Sequence, residues 1–152
     1  MAFDGMTLYA VIHELQNTVP GAKINKIHQP KRDELVISFR SMKGETKLLI
    51  SANSLDCRLH STQSAAENPM SPPMFCMLLR KYLLGGKVHG ILQREVERIV
   101  EISIHNSDEF MRPVEYKLIV EIMGKHSNII LVDAQKGLII DSLKRISSEV
   151  SR

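Results

Sequence analysis

A strand-like stretch near the middle of the chain carries an arginine where an apolar side chain is expected. In the segment VERIVEISI, residues 96–104, aliphatic side chains alternate along one face, and Arg98 shares their phase while Glu97 points to the other face. An arginine cannot stay unpaired in an apolar interior. The sequence leaves three arrangements open: the strand ends at a sheet edge, a bulge turns the side chain outward, or Arg98 meets a buried acid from elsewhere in the chain.

A second polar group stands between two apolar runs in EIMGKHSNIILVD, residues 121–133. Gly124 can begin a tight turn without a Cβ clash. The next four residues, Lys125, His126, Ser127 and Asn128, are then expected to line a polar loop tip. The segment is read either as a plain hairpin turn or as a donor-rich tip that faces phosphates or base edges.

No short motif for catalysis, metal binding or cofactor binding is found. The segment HELQN ends in Asn17, so it lacks the second histidine of a zinc-protease helix, and no C-x-x-C pair occurs. Glycine-rich phosphate loops and the nucleophile-elbow pattern are also missing from the sequence. We therefore expect a protein that is not an enzyme and that needs neither a metal nor another cofactor.

Composition predicts one domain with a substantial core. The 152 residues are 43% hydrophobic and 24% charged, as in ordinary globular proteins. The first residues, MAFDGM, do not form a secretory signal, and no apolar run is long enough to cross a membrane. With two cysteines and eight methionines, a reducing cytoplasmic location without membrane contact is expected.

The net charge of +3 is concentrated in two basic spans, AKINKIHQPKRD and LRKYLLGGKVHGILQR. They can be solvated faces of the protein, or they can form the electrostatic footprint of a nucleic-acid-binding surface. Charge alone favours the first interpretation.

Periodicity predicts the elements that position these residues. The segment TLYAVIHELQN has helical spacing, and Asp4 or Thr7 can cap its start. A second helix is expected in MFCMLLRKYLL, with Ser71 as N-cap and Pro72 in the first turn. Its expected core residues are Met74, Leu78, Tyr82 and Leu83, and Cys76 is expected to be a buried apolar group rather than a nucleophile.

The remaining segments alternate as strands. They are AKINKIHQ, ELVISFR and KLLIS before a polar loop, then KVHGILQ and VERIVEISI, and finally a meander of VEYKLIVEI, NIILVD and GLIIDSL. The order predicts an α+β fold, an antiparallel β-sandwich flanked by two main helices. The tail KRISSEVSR has no terminator, so the chain is expected to be the amino-terminal part of a longer protein.

Three segments in the same order, MAFDGM, VERIVEI and EIMGKHSNIILVD, resemble the NFACT-N domain. This is the amino-terminal domain of the RqcH/NEMF family of ribosome-associated quality-control factors, whose bacterial members are often labelled fibronectin- or fibrinogen-binding proteins. The resemblance spans most of the chain, predicts one NFACT-N-like domain over residues 1–152, and implies a fold similar to the amino-terminal domain of formamidopyrimidine-DNA glycosylases.

The resemblance also implies a function. Members bind the large ribosomal subunit (50S in bacteria) carrying a stalled peptidyl-tRNA, and bacterial members recruit alanyl-tRNA, so that C-terminal alanine tails are added without mRNA. An Asp-Arg pair of the family, needed to recruit tRNA, matches Glu97 and Arg98 here, with an acid that is one methylene longer. Arg98 would contact a phosphate or stack on a base, and Glu97 would accept a hydrogen bond from a base edge.

Two other functions compete with tRNA binding. One is a surface adhesin that binds fibronectin or fibrinogen, against which the missing signal peptide counts. The other is a DNA-glycosylase-like enzyme, which would need an amino-terminal proline as nucleophile, whereas Ala2, Phe3 and Asp4 follow the initiator methionine here.

Overall fold

The fold consists of two helices and nine strands within residues 5–63, 72–94 and 98–144, the part of the chain that the computed structural model describes. The helices are α1 (Gly5–Leu15) and α2 (Met74–Leu83), and a single 3-10 turn covers Gly124–His126. The strands are β1 (Lys23–Lys31), β2 (Glu34–Ser41), β3 (Gly44–Ser51), β4 (Arg58–Thr62), β5 (Lys87–Gln93), β6 (Ile99–Ser107), β7 (Pro113–Glu121), β8 (Asn128–Asp133) and β9 (Leu138–Ser142).

The nine strands form one antiparallel sheet in the order β4-β3-β2-β1-β5-β6-β7-β8-β9. Two runs of consecutive strands meet where β1 pairs with β5, and the amide of Ile24 donates to the carbonyl of Gly86 at 2.8 Å there. The predicted α+β class, with antiparallel strands and two main helices, is confirmed. What the sequence suggested as sandwiched sheets is one hydrogen-bonded sheet, because this junction joins its two halves.

One hydrophobic core is formed by buried side chains of the sheet and of both helices. The core side chains of β6 are Val100, Ile102 and Ile104, each at most 1% exposed, as their alternation predicts. Residues Leu8, Ile12 and Leu15 of α1 are buried against the same cluster. Asp4 lies outside the described residues, so its capping role stays a prediction, whereas Thr7 lies within α1 and is not its cap. The expected N-cap of α2 at Ser71 is wrong, because that helix begins after Pro73.

Helix α2 differs in detail from the prediction. It begins at Met74 after Pro73 at the N-cap, where no side chain caps the helix. Met74, expected in the core, is 69% exposed, and the buried positions are Phe75, Cys76, Leu79 and Leu83. Apolar residues occur almost all round this helix, so its sequence could not indicate which face packs inward. Leu78 and Tyr82 are partly buried against the core.

Cys76 is fully buried, as predicted, and burial raises the pKa of its thiol.

The short strand β4 was not predicted. Its sequence RLHST contains little apolar alternation, and its last two residues begin the segment that the sequence predicted as a loop. Within the described ranges, each helix is too short or too polar to cross a membrane.

Candidate nucleic-acid interface

Arg98 stands immediately before β6 rather than within it. Strand β6 begins at Ile99, and Arg98 forms a bend at the strand's entrance. The amide of Ile122 donates to the Arg98 carbonyl at 2.9 Å, which ties this bend to the end of β7. The side chain of Arg98 is neither sealed in the core nor fully exposed. An arginine in the core phase is therefore tolerated because the apolar face begins only two residues later.

The polar segment after β7 forms a single 3-10 turn over Gly124–His126. Gly124 has φ +58°, a left-handed conformation that favours glycine, and the amide of Ser127 donates to its carbonyl at 3.1 Å. The predicted tight turn at Gly124 is confirmed. Lys125 and His126 are both exposed at the tip of this turn.

Ser127 and Asn128 do not face outward, which corrects the expectation that all four polar residues line the tip. Ser127 is fully buried, and its hydroxyl accepts a 2.8 Å hydrogen bond from the amide of Met123. Asn128 is 3% exposed and bonds to the backbone of Lys144 and Ile129. Both side chains hold the loop in shape, so Lys125 and His126 remain as its outward donors.

Antiparallel pairing brings Arg98 and the loop to the same end of the sheet. Glu121, the last residue of β7, lies opposite Ile99 on one side and Asn128 on the other. The bend before β6 and the turn after β7 therefore project from one sheet end. Glu97 lies outside the described residues, and its predicted role stays a prediction.

Arg94 joins this end of the sheet, although motif reasoning did not select it. It follows the last residue of β5, and its amide donates to the carbonyl of Ile99 at 3.0 Å. Its guanidinium is 3.1 Å from Glu101, which also lies 3.4 Å from the ammonium of Lys117. Only strand pairing reveals this neighbour, because Arg94 belonged to a basic span with no distinguishing pattern.

The carboxyl group of Glu121 adds a half-buried acid to this sheet end, and burial raises its pKa above the usual value. The exposed groups named at this end are hydrogen-bond donors, namely the Arg94 guanidinium, the Lys125 ammonium and the His126 imidazole. Among the described residues, no group of three or more His, Cys, Asp or Glu could hold a metal ion. The chemistry available here is the recognition of phosphates and base edges.

An antiparallel α+β domain with these two segments at one sheet end is the architecture of a known class of domain. The family model described as NFACT N-terminal and middle domains matches residues 4–152, and the chain belongs to this family. The resemblance inferred from the sequence segments is thereby confirmed.

Proteins similar to this chain include the Rqc2 homolog RqcH of Bacillus subtilis (strain 168), 45% identical over 151 residues. That match covers 99% of this chain and 26% of the relative. The ribosome quality control complex subunit NEMF of Homo sapiens is 28% identical over 131 residues. That match covers 86% of this chain and 11% of the length of NEMF. The chain thus spans about a quarter of the length of the bacterial relative.

A similar solved structure is the N-terminal domain of the fibronectin-binding protein PavA from Streptococcus pneumoniae. It superimposes with a TM-score of 0.94 at 42% identity, covering 99% of this chain and 57% of that chain. The N-terminal part of the fibronectin/fibrinogen-binding protein from Streptococcus suis gives a TM-score of 0.93 at 44% identity, with coverage of 99% and 57%. These matches agree with the family assignment.

Proposed function

We propose that this chain is the tRNA-binding module of a ribosome quality-control factor, and that it binds RNA without catalysing a reaction. The observation that carries the proposal is the hydrogen bond between the Ile122 amide and the Arg98 carbonyl. It joins the bend at Arg98 to the strand end from which Lys125 and His126 project.

The proposed contacts follow from the chemistry of each group. The Arg98 guanidinium can bind a phosphate in a bidentate manner or stack on an unpaired base. Lys125 and His126 are exposed and can donate hydrogen bonds to phosphate oxygens. The family resemblance adds Glu97 as an acceptor from a base edge.

The names of the relatives, among them a ribosome quality control complex subunit, support a wider setting for this module. The proposed setting is the large (50S) ribosomal subunit carrying a stalled peptidyl-tRNA, in the cytoplasm. There the full-length protein recruits alanyl-tRNA for C-terminal tailing of the stalled chain without mRNA. The module's part in this reaction is to bind and orient the tRNA.

The test compares tRNA bound by variants of the full-length protein. We expect Arg98→Ala, and the double change Lys125→Ala with His126→Ala, each to lower tRNA recovery in a pulldown about tenfold or more, since stacking or phosphate contacts contribute about 1–3 kcal/mol. Lys136→Ala is the matched control, because Lys136 is an exposed lysine in the turn between β8 and β9, at the opposite end of the sheet. Sequencing the bound RNA identifies the tRNA.

Two outcomes would overturn the proposal. The first is tRNA recovery by both variants that equals recovery by the wild type and by Lys136→Ala. The second is unfolding of the Arg98→Ala protein, measured by its thermal transition, together with unchanged tRNA recovery by the loop variant. In that case Arg98 is a structural residue and the loop does not contact RNA.

A second candidate function is fibronectin or fibrinogen binding, which the names of the structural neighbours favour. Binding of purified full-length protein to immobilised fibronectin tests it directly. The Arg98→Ala variant should keep any such binding, because the candidate tRNA contacts are confined to one end of the sheet.

A further inference from the structure

Three basic residues lie directly opposite one another on three neighbouring strands. Lys23 of β1 faces Arg40 of β2 on one side and Lys87 of β5 on the other. All three side chains are exposed. Residues in opposed positions share one face of a sheet, and like charges placed there destabilise it.

A β-bulge adds a second cationic row to the same face. The register of β1 and β2 shifts between Ile24 and Lys26, so Lys26 faces Ser38 although it is three residues from Lys23. Ser38 in turn faces Lys47 of β3. We call Lys23, Lys26, Arg40, Lys47 and Lys87 the cationic stripe. Glu45 lies opposite Arg40 at one end of the first row, and at the other end Lys87 is opposite His105, which is in turn opposite Glu115.

Helix α2 adds another cation beside the stripe. The Arg80 guanidinium donates from Nε to the carbonyl of Ile27 at 2.8 Å, and its Nη2 lies 3.4 Å from Nδ1 of His28. Burial, and then the positive charges of Arg80, Lys26 and Lys47, lower the pKa of His28. The His28 side chain therefore lies close to the positive charges of Arg80, Lys26 and Lys47.

The other half of the sheet is arranged differently. There Glu101 lies within salt-bridge distance of Arg94 and Lys117, and Glu115 lies 2.9 Å from His105. Within the described ranges, by contrast, no carboxylate lies within salt-bridge distance of the five stripe residues. An unneutralised row of cations lowers folding stability, so its presence indicates an anionic partner.

We propose that the cationic stripe binds the phosphodiester backbone of RNA, independently of sequence, as a second contact surface. It lies at the opposite end of β5 from Arg94, because Lys87 begins that strand and Gln93 ends it. The choice of RNA over other polyanions rests on the function proposed above. It also accounts for the two basic spans of the sequence, which meet where Lys23 is opposite Lys87.

The experiment measures how salt affects the binding of a short RNA duplex of arbitrary sequence to the full-length protein. Affinity is determined from about 50 to 200 mM KCl for the wild type and for the Lys23→Gln, Arg40→Gln double variant. Each lost phosphate contact should reduce the slope of log K against log salt by about 0.7–0.9, so the double variant should lose about twice that value. Its melting temperature should equal or exceed that of the wild type, since repulsion is relieved.

Lys136→Gln is the matched control and should keep the wild-type slope. A Lys26→Gln, Lys47→Gln variant tests the second row and should reduce the slope in the same way, even if the first variant does not fold. Wild-type slopes in both stripe variants would overturn the proposal. So would a loss of binding to poly-glutamate with unchanged binding to the duplex, which would assign the stripe to an acidic protein.

Arg98→Ala separates this proposal from the previous one. It should lower tRNA recovery and leave the duplex slope unchanged. Reduced slopes in the stripe variants, together with unaltered tRNA recovery in both Arg98→Ala and the Lys125, His126 double variant, would support the stripe and reject the tRNA site.

Discussion

The side chain of Asn128 bonds to both backbone groups of Lys144. Its Nδ2 donates to the Lys144 carbonyl at 3.0 Å, and its Oδ1 accepts from the Lys144 amide at 2.8 Å. These bonds join the start of β8 to the chain just beyond β9, at the sheet end that carries Lys125 and His126. Asn128 therefore fixes the loop without being available to a ligand.

Replacing this residue should destabilise the protein. Asn128→Ala leaves the part-buried backbone groups of Lys144 and the buried amide of Ile129 without their partner, which costs roughly 1–3 kcal/mol in the free energy of unfolding. Denaturant titration of the purified protein measures the change. Asn17→Ala is the control, because Asn17 is exposed and its bond to the His13 carbonyl is 3.3 Å long. Equal stability of the two variants would show that the Asn128 bonds contribute little.

Gly86 should not tolerate a side chain. A Cβ at this position would lie 2.7 Å from a methyl carbon of Ile104 and 2.9 Å from the carbonyl oxygen of Leu83. Gly86→Ala should therefore cost about 1–3 kcal/mol, as overpacking of a core does. Gly90→Ala, in the strand β5 that follows Gly86, is the control, since no heavy atom lies within 4 Å of its added Cβ. Thermal denaturation of both variants tests the difference, and equal melting temperatures would contradict it.

His28 should make stability depend on pH. Burial is the main cause that lowers its pKa from 6.5, and Arg80, Lys26 and Lys47 lower it further. The unfolded chain therefore binds this proton more readily, so the free energy of unfolding should rise with pH between the lowered pKa and about 6.5, and the contribution should be constant above that value. Subtracting the pH profile of His28→Gln from that of the wild type isolates the effect. A flat difference across this range would refute it.

Glu101 should stabilise the outer face of the second half of the sheet. Its side chain is only 12% exposed and lies 3.1 Å from Arg94 and 3.4 Å from Lys117. Glu101→Gln should cost roughly 1–2 kcal/mol at low salt and less at high salt, because screening weakens the pairs. Urea titration at two salt concentrations measures this. Glu109→Gln, at an exposed position in the turn after β6, should change stability by less than about 0.5 kcal/mol.

Local patterns were sufficient to predict most strands. The alternation of Val100, Ile102 and Ile104 identified the buried face of β6, and the turn at Gly124 was visible from residue type. Family membership was also readable from three short segments. These features depend on neighbours in sequence, which periodicity reports directly.

The inward face of α2 could not be predicted, because Met74 and Leu79 are equally apolar in sequence and only packing against β1 exposes the first and buries the second. The bulge in β1 likewise blurred its alternation and concealed that Lys23 and Lys26 share a face. Both features result from contacts with other elements.

The sequence by itself determined the fold class, the family and the polar segments that could bind RNA, since each depends on residue type and short-range spacing. Only the tertiary structure decided which of these segments meet. Strand pairing placed Arg98 beside the turn at Lys125, buried Ser127 and Asn128, and set Lys23 opposite Lys87. The reason is that strand partners are selected by the burial of one shared core, a property of the whole chain that no local pattern contains.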